Sequence, residues 1–191
     1  MSERKRFVQK KFKSYKYSEQ LKEGLKSETT AYLKLVSMFP SCTFRPGPYM
    51  KADAIITSPE GIERSIEIKS CKFVERTSQI FDEISHTTTN GTFPGGSEKA
   101  INDGCSLYVV RCESTGWLYM IDVQHMFETR NKLIADGCEI LTVNNGRTKG
   151  ITINLSELKV LRTTYDVKKH LGFSTAVTVK KDDWDLLWSA T

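Results

Sequence analysis

The 191-residue sequence predicts a mixed α/β domain with a C-terminal α/β elaboration, and three observations lead there. An apolar stripe at helical spacing comes first, an isoleucine-rich hairpin follows, and strand-like and helix-like segments then alternate to the C-terminus. Hydrophobic residues make up 39% of the chain and charged residues 27%. That is enough apolar material for a core, and it excludes disordered, collagen-like and low-complexity readings.

Each element has its own signal. Ser18, followed by Glu19 and Gln20, marks a helix start, and Leu21, Leu25, Tyr32, Leu35, Val36 and Phe39 form the stripe that Pro40 ends. Thr43 to Arg45 suits a short strand. Asp53 to Thr57 and Ser65 to Cys71 read as two strands, joined as a hairpin by the turn residues Ser58-Pro59-Glu60-Gly61. Residues 77 to 85 suggest a short helix, His86 to Gly96 a loop, and Ser97 the cap of a helix ending at Gly104. Strands at Leu107 to Arg111 and Trp117 to Ile121 flank the turn Glu113-Ser114-Thr115-Gly116. A helix over Val123 to Ala135 follows, closed by Asp136-Gly137. Trp184, Leu187 and Trp188 give a short terminal helix one apolar face.

Charge is distributed unevenly. The chain has 28 Lys and Arg against 23 Asp and Glu, a net of +5, yet residues 1–26 alone hold nine basic and three acidic side chains, a net of +6. Arg4, Lys5, Arg6, Lys10, Lys11, Lys13 and Lys16 are interleaved with Phe7, Phe12, Tyr15 and Tyr17. Cations neutralise phosphates and aromatic rings stack on exposed bases, so this arm suits nucleic acid; a solvated tail has the same composition. Lys99 and the 86–96 segment are likewise open to either reading. No apolar run approaches the ~20 residues of a membrane span, and the N-terminus lacks the apolar core of a secretory signal. Cys42, Cys71, Cys105, Cys112 and Cys138 form no C-x-x-C pair and have no neighbouring histidine, which argues against structural zinc. The expectation is a soluble, cytoplasmic protein with reduced thiols and no membrane partner.

The chemistry concentrates in the hairpin. Side chains alternate along a strand, so Ser65, Glu67, Lys69 and Cys71 share one face while Ile66 and Ile68 take the other. A fold-back centred on Glu60 sets Asp53 opposite Glu67, placing Asp53, Glu67 and Lys69 together. Facing residues lie ~5 Å apart at Cβ, close enough for two carboxylates to hold one hard divalent cation. Glu28 falls between Leu25 and Tyr32 on the helical stripe, where a buried carboxylate needs a partner. Such a group suits phosphodiester hydrolysis. Asp53 and Glu67 would be metal ligands, Lys69 would orient water and offset charge, and Glu28 would support a metal-bound water or a second metal.

At these residues the chain resembles the PD-(D/E)XK nuclease superfamily. The likeness rests on Asp53, then thirteen residues, then Glu67-Ile68-Lys69, with Glu28 in Gly24-Leu25-Lys26-Ser27-Glu28-Thr29-Thr30-Ala31. Residues 105–111 and 116–119 are similar to the closing strands of archaeal Holliday-junction resolvases and some homing nucleases. The resemblance implies a restriction-endonuclease-like αβββαβ core with a mixed central sheet over 18–122, preceded by the basic arm 1–17 and followed by the elaboration 123–191. It further implies Mg²⁺-dependent (or Mn²⁺-dependent) endonucleolytic cleavage of DNA, branched or site-specific duplex, with the main-chain carbonyl of Ile68 as a further ligand. Ala52 stands where many members have proline, and no Gln-x-x-x-Tyr follows, unlike the RecB-like exonucleases. One such site cuts one strand, so a homodimer is expected, with the Trp184–Trp188 face as candidate interface. A non-catalytic nucleic-acid-binding protein on the same fold, or an RNA endonuclease, are the alternatives.

Overall fold

The computed structural model describes residues 17–48 and 51–173. The basic arm, apart from Tyr17, and the Trp184–Trp188 segment lie outside the described residues. Helix α1 (Tyr17–Met38) leads into strands β1 (Thr43–Pro46), β2 (Ala54–Thr57) and β3 (Glu63–Cys71). A single turn of helix, α2 (Val74–Thr77), precedes β4 (Gln79–Thr88) and β5 (Gly91–Pro94). Then come α3 (Gly96–Asn102), β6 (Cys105–Cys112), β7 (Leu118–Asp122) and α4 (Val123–Ala135). Strands β8 (Leu141–Val143) and β9 (Thr148–Asn154), a 3₁₀ turn, β10 (Val160–Leu161) and α5 (Thr164–Leu171) complete the described chain.

The described strands form two sheets. The larger has the order β1-β2-β3-β6-β7-β10 and is mixed, because β3 is antiparallel to β2 and parallel to β6. The smaller has the order β5-β4-β9-β8 and is antiparallel. One face of the large sheet carries Ala54, Ile56, Ile66, Ile68, Leu107 and Val109 against α1 and α5. The opposite face, with Tyr108, Val110 and Ile121, packs against α3, α4 and the small sheet through Ala100, Met126, Ile151 and Ile153. Segment 123–173 is woven into both sheets: β9 pairs with β4, and β10 with β7.

Four sequence expectations are corrected. Helix α1 buries Ser27, Ala31, Leu35 and Met38, spaced at four, four and three, while Leu25, Leu33 and Val36 stay exposed. The buried face is thus rotated by roughly a quarter turn from the expected stripe, because small Ser27 and Ala31 let the helix close on the sheet. Residues 77–85, expected helical, are mostly strand β4. Its pairing with β9, some seventy positions later, overrides the local pattern. The expected loop 86–96 is largely a hairpin, with Thr88 opposite Gly91 and His86 opposite Phe93. Its β-branched threonines suit a strand and its Asn90-Gly91 pair suits a tight turn. Ser97 does not cap α3, whose N-cap is Gly95. Instead the Ser97 N–H donates to Asp82 Oδ1 at 2.8 Å and its hydroxyl to Oδ2 at 2.5 Å.

That clamp ties β4 to α3 inside the core. Asp82 is fully buried, with the buried Arg130 guanidinium 3.9 Å away, itself bonded to Glu98 at 2.9 Å. Gly96, at φ 53°, passes so close to the Asp82 carboxylate that any side chain there would collide with it. Burial pushes the Asp82 carboxyl up to about 6 from 3.8, against the bonds from Ser97 and the charge of Arg130. The folded state therefore holds this proton over a range where the unfolded chain has released it. The contribution is complete below pH 3.8 and lost as pH rises through 6, by up to roughly 3 kcal/mol. Asp82→Asn should remove that slope. Urea midpoints of variant and wild type from pH 4 to 7 test this: their difference should move against the wild type as pH rises.

Candidate active site

The β2–β3 register builds the site. Ala54 pairs with Ile66 and Thr57 with Glu63, so Asp53, just before β2, stands opposite Glu67 as the fold-back at Glu60 requires. The Asp53 N–H donates to the Ile66 carbonyl at 3.1 Å. One step on, where β2 supplies no further partner, the Ile68 N–H donates to Asp53 Oδ2 at 2.7 Å. The carboxylate thereby takes the place of the missing ladder bond and is fixed at the strand edge. Along a strand, the N–H and C=O of one residue point to the same side, so the Ile68 carbonyl also faces the Asp53 side.

Ile66 and Ile68 go into the α1 side of the core, and Glu67 turns to the opposite face, only 1% exposed. Lys69 Nζ lies 2.5 Å from Glu67 Oε1 and 3.8 Å from Asp53 Oδ2. Burial would lower the Lys69 pKa, but the carboxylates of Glu67 and Asp53 outweigh it and hold the ammonium above its ordinary value. Glu67 Oε2 is buried without a hydrogen bond, although Lys99 Nζ approaches to 3.7 Å. Glu28, half-buried on α1, has its pKa raised by burial and next by Asp53. Lys69 opposes that rise and Glu67 adds to it, so the charges acting on Glu28 are those of the hairpin. Asp53, Glu67 and Lys69 thus stand together on one face of the hairpin, and Glu28 of α1 lies within electrostatic reach of them.

Around them opens a cleft of about 670 Å³. The β2–β3 side provides Lys51, Ala52, Asp53, Glu67 and Lys69; the far wall is the β4–β5 hairpin with the start of α3. Sequence reasoning gave Glu83 and His86 no role and left Lys99 open, yet all three line this cleft. Lys99 Nζ bonds Asp103 at 2.7 Å and the Lys51 carbonyl at 3.3 Å. Burial works against its charge, but Asp103 and Glu67 outweigh that and raise its pKa. Glu83 is raised by burial, with His86 and Lys69 opposing. The one local signal for these residues was the run of threonines ending in Asn90-Gly91, which marks the hairpin that carries Glu83 and His86.

No family model and no curated protein matches the chain. Among solved structures it is similar to a bacterial homing endonuclease, at 19% identity over 53% of this chain and 67% of that one, with a TM-score of 0.39. It is also similar to a nuclease from a fusselovirus, at 13% identity over 75% of this chain and 86% of that one, with a TM-score of 0.38. These superpositions are partial, and what the site does follows from its side chains. No helix among the described residues is long and apolar enough to cross a membrane.

Burial disfavours the Glu28 charge, and Asp53 and Glu67 add to that as like charges which Lys69 offsets only in part. The raised Glu28 pKa means its charge is disfavoured by folding, so stability from this group falls as pH rises above the ordinary carboxylate range. Glu28→Gln removes that charge. It should raise stability at pH 7 by a few tenths of a kcal/mol, since solvent screens a half-exposed group. The check is the denaturation midpoint in chelator, where an unchanged or lower midpoint contradicts the reading.

Proposed function

We propose that the protein is a metal-dependent endonuclease of the PD-(D/E)XK type, hydrolysing phosphodiester bonds in DNA. The observation that carries this is the convergence of Asp53, Glu67 and Lys69 at one cleft, with Glu28 beside them. Such a charge group would be costly on an isoleucine-rich hairpin if it bound nothing.

The residues fit Mg²⁺ or Mn²⁺. Asp53, Glu67 and the Ile68 carbonyl offer only hard oxygens, and Glu67 Oε2 is a buried acceptor with no hydrogen bond. Among the described residues no cluster of three or more His, Cys, Asp or Glu side chains could hold an ion alone. The proposed ligand set is Asp53, Glu67 and the Ile68 carbonyl, completed by water, as is usual for Mg²⁺. When bound, such an ion polarises the phosphoryl oxygen and lowers the pKa of its water. The protein's own groups do the rest. Lys69 donates to the attacking water and offsets the charge that develops on phosphorus-bound oxygen. Lys99, on the far side of Glu67, supplies a second cation to the same region, and Glu28 orients water at the cleft edge.

The mutant series separates these roles. Asp53→Ala and Glu67→Ala should abolish cleavage of plasmid and branched DNA across a Mg²⁺ titration. Lys69→Ala should keep metal binding and lose about 10²–10³-fold in rate, the size of one lost transition-state donor. Full activity in either carboxylate mutant would sink the assignment, as would cleavage by the wild type in EDTA. The RNA-endonuclease alternative is tested by the same titration with RNA.

The basic arm supplies affinity in this scheme. Deleting residues 1–16 should weaken DNA binding and flatten the dependence of log K on log salt, because each phosphate contact contributes to that slope. Turnover at saturating DNA should persist. An unchanged salt slope would show the arm to be an idle tail.

A further inference from the structure

The far wall of the cleft is built in a way that catalysis does not require. Residues 87–94 are exposed without a break, so the outer half of the β4–β5 hairpin buries little. A two-stranded ribbon with no core behind it is marginal in water. From Ser85 to Pro94 there is no Asp, Glu, Lys or Arg: the side chains are hydroxyls, one amide, one imidazole and the half-exposed ring of Phe93. Pairing sets His86 opposite Phe93, and Thr88 two residues from His86, so these three share the face that lines the cleft, with Asn90 at the turn. Thr87 and Thr92 lie on the other face, their hydroxyls 3.0 Å apart. The β8–β9 turn runs alongside: the Thr87 N–H donates to the Arg147 carbonyl at 2.7 Å, and Lys149 stands opposite Ser85. Arg147 and Lys149 are both exposed.

We propose that this ribbon enters the major groove of B-form DNA and reads base edges, while the phosphate to be cut lies at Asp53, Glu67 and Lys69. The inference rests on the reading that the cleft takes nucleic acid, and it narrows the substrate to duplex DNA. The major groove, about 12 Å wide, admits a two-stranded ribbon whose strands lie about 4.8 Å apart. The deep, narrow major groove of duplex RNA does not. Threonine hydroxyls and the Asn90 amide both donate and accept, as base edges demand, and apolar groups such as Phe93 meet the thymine methyl. Arg147 and Lys149 beside the ribbon supply the phosphate contacts that hold its register. The ribbon itself has no carboxylate to repel the backbone.

The test uses the full chain silenced by Lys69→Ala, incubated with randomised DNA duplexes, the bound fraction being sequenced. The same protein carrying Thr88→Ala, Asn90→Ala and Phe93→Ala is run beside it, as is one carrying Thr92→Val on the opposite face, and melting curves confirm folding. Asn90→Ala alone serves if the triple variant does not fold. The silenced parent and the Thr92→Val protein should select the same short motif. The triple variant should lose it, binding the preferred duplex about tenfold more weakly while its affinity for random duplex stays within twofold. An unchanged motif in the triple variant, no motif in the parent, or equal affinity for duplex RNA overturns the ribbon. Two outcomes separate the readings: wild-type cleavage with no sequence preference defeats the ribbon alone, whereas a selected motif without cleavage in Mg²⁺ defeats the nuclease alone.

Discussion

Everything in the cleft depends on the register between β2 and β3. Side chains alternate along a strand, so a slip of one residue would turn Asp53 away from Glu67 and carry a carboxylate toward the isoleucine face. The turn at Ser58–Gly61 prevents it. The Ser58 carbonyl accepts from the Gly61 N–H at 2.9 Å, and the Ser58 N–H donates to the Ile62 carbonyl at 3.0 Å. Ile66 and Ile68, each 1% exposed, lock the same register from below, because a one-residue slip would turn both to the other face. The apolar face of the hairpin therefore sets the geometry of its charged face. That coupling lets a cluster of like charges persist: hydrophobic burial on one side of β3 holds in place what electrostatics on the other side would disperse.

This explains why the site was legible in the sequence when much of its surroundings was not. Asp53, Glu67 and Lys69 are related by alternation along two strands and one tight turn, and both are local rules. Glu28 was expected near these residues on an imperfect argument. It was placed on a stripe with Leu25, which the structure leaves exposed, whereas it actually lies at the edge of the face formed by Ser27, Ala31 and Leu35. Helix α4 was legible to the residue, from Val123 to Ala135, because its cap and its terminating Asp136-Gly137 are local too. The opposite wall was not. Strand β4 owes its conformation to β9, a partner seventy positions away, and its Ile80, Phe81 and Ile84 are spaced as on a helix. With β4 misread, Glu83, His86 and Lys99 could not be placed in the cleft.

The two walls are joined by a second buried charge group of a different kind. At Asp82 the carboxylate is satisfied by Ser97 and faced by Arg130, and it is sealed from solvent, whereas Glu67 keeps one oxygen without a hydrogen bond. A buried acceptor left open is costlier than one whose hydrogen bonds are made. The contrast assigns the groups different work. Asp82 fixes α3 against β4 and so sets the distance at which Lys99 approaches Glu67; Glu67 is left with capacity for a further partner.

The same division extends outward along β4. Its inner part, from Ile80 to Asp82, is anchored by core packing and the Ser97 clamp, Ile84 to His86 are partly buried, and only Thr87 and Thr88 at its end are exposed. A strand so firmly held at one end can present its other end without a core of its own, because the backbone ladder to β9 continues through His86 opposite Thr148. The His86 ring bonds the Thr148 hydroxyl at 3.0 Å and extends that anchorage to the point where exposure begins. Rigidity at the root with exposure at the tip is what a surface for groove contact requires. In the proposed scheme the same anchorage relates the tip to Asp53 and Glu67, so a preference read there would be translated into the position of the cut.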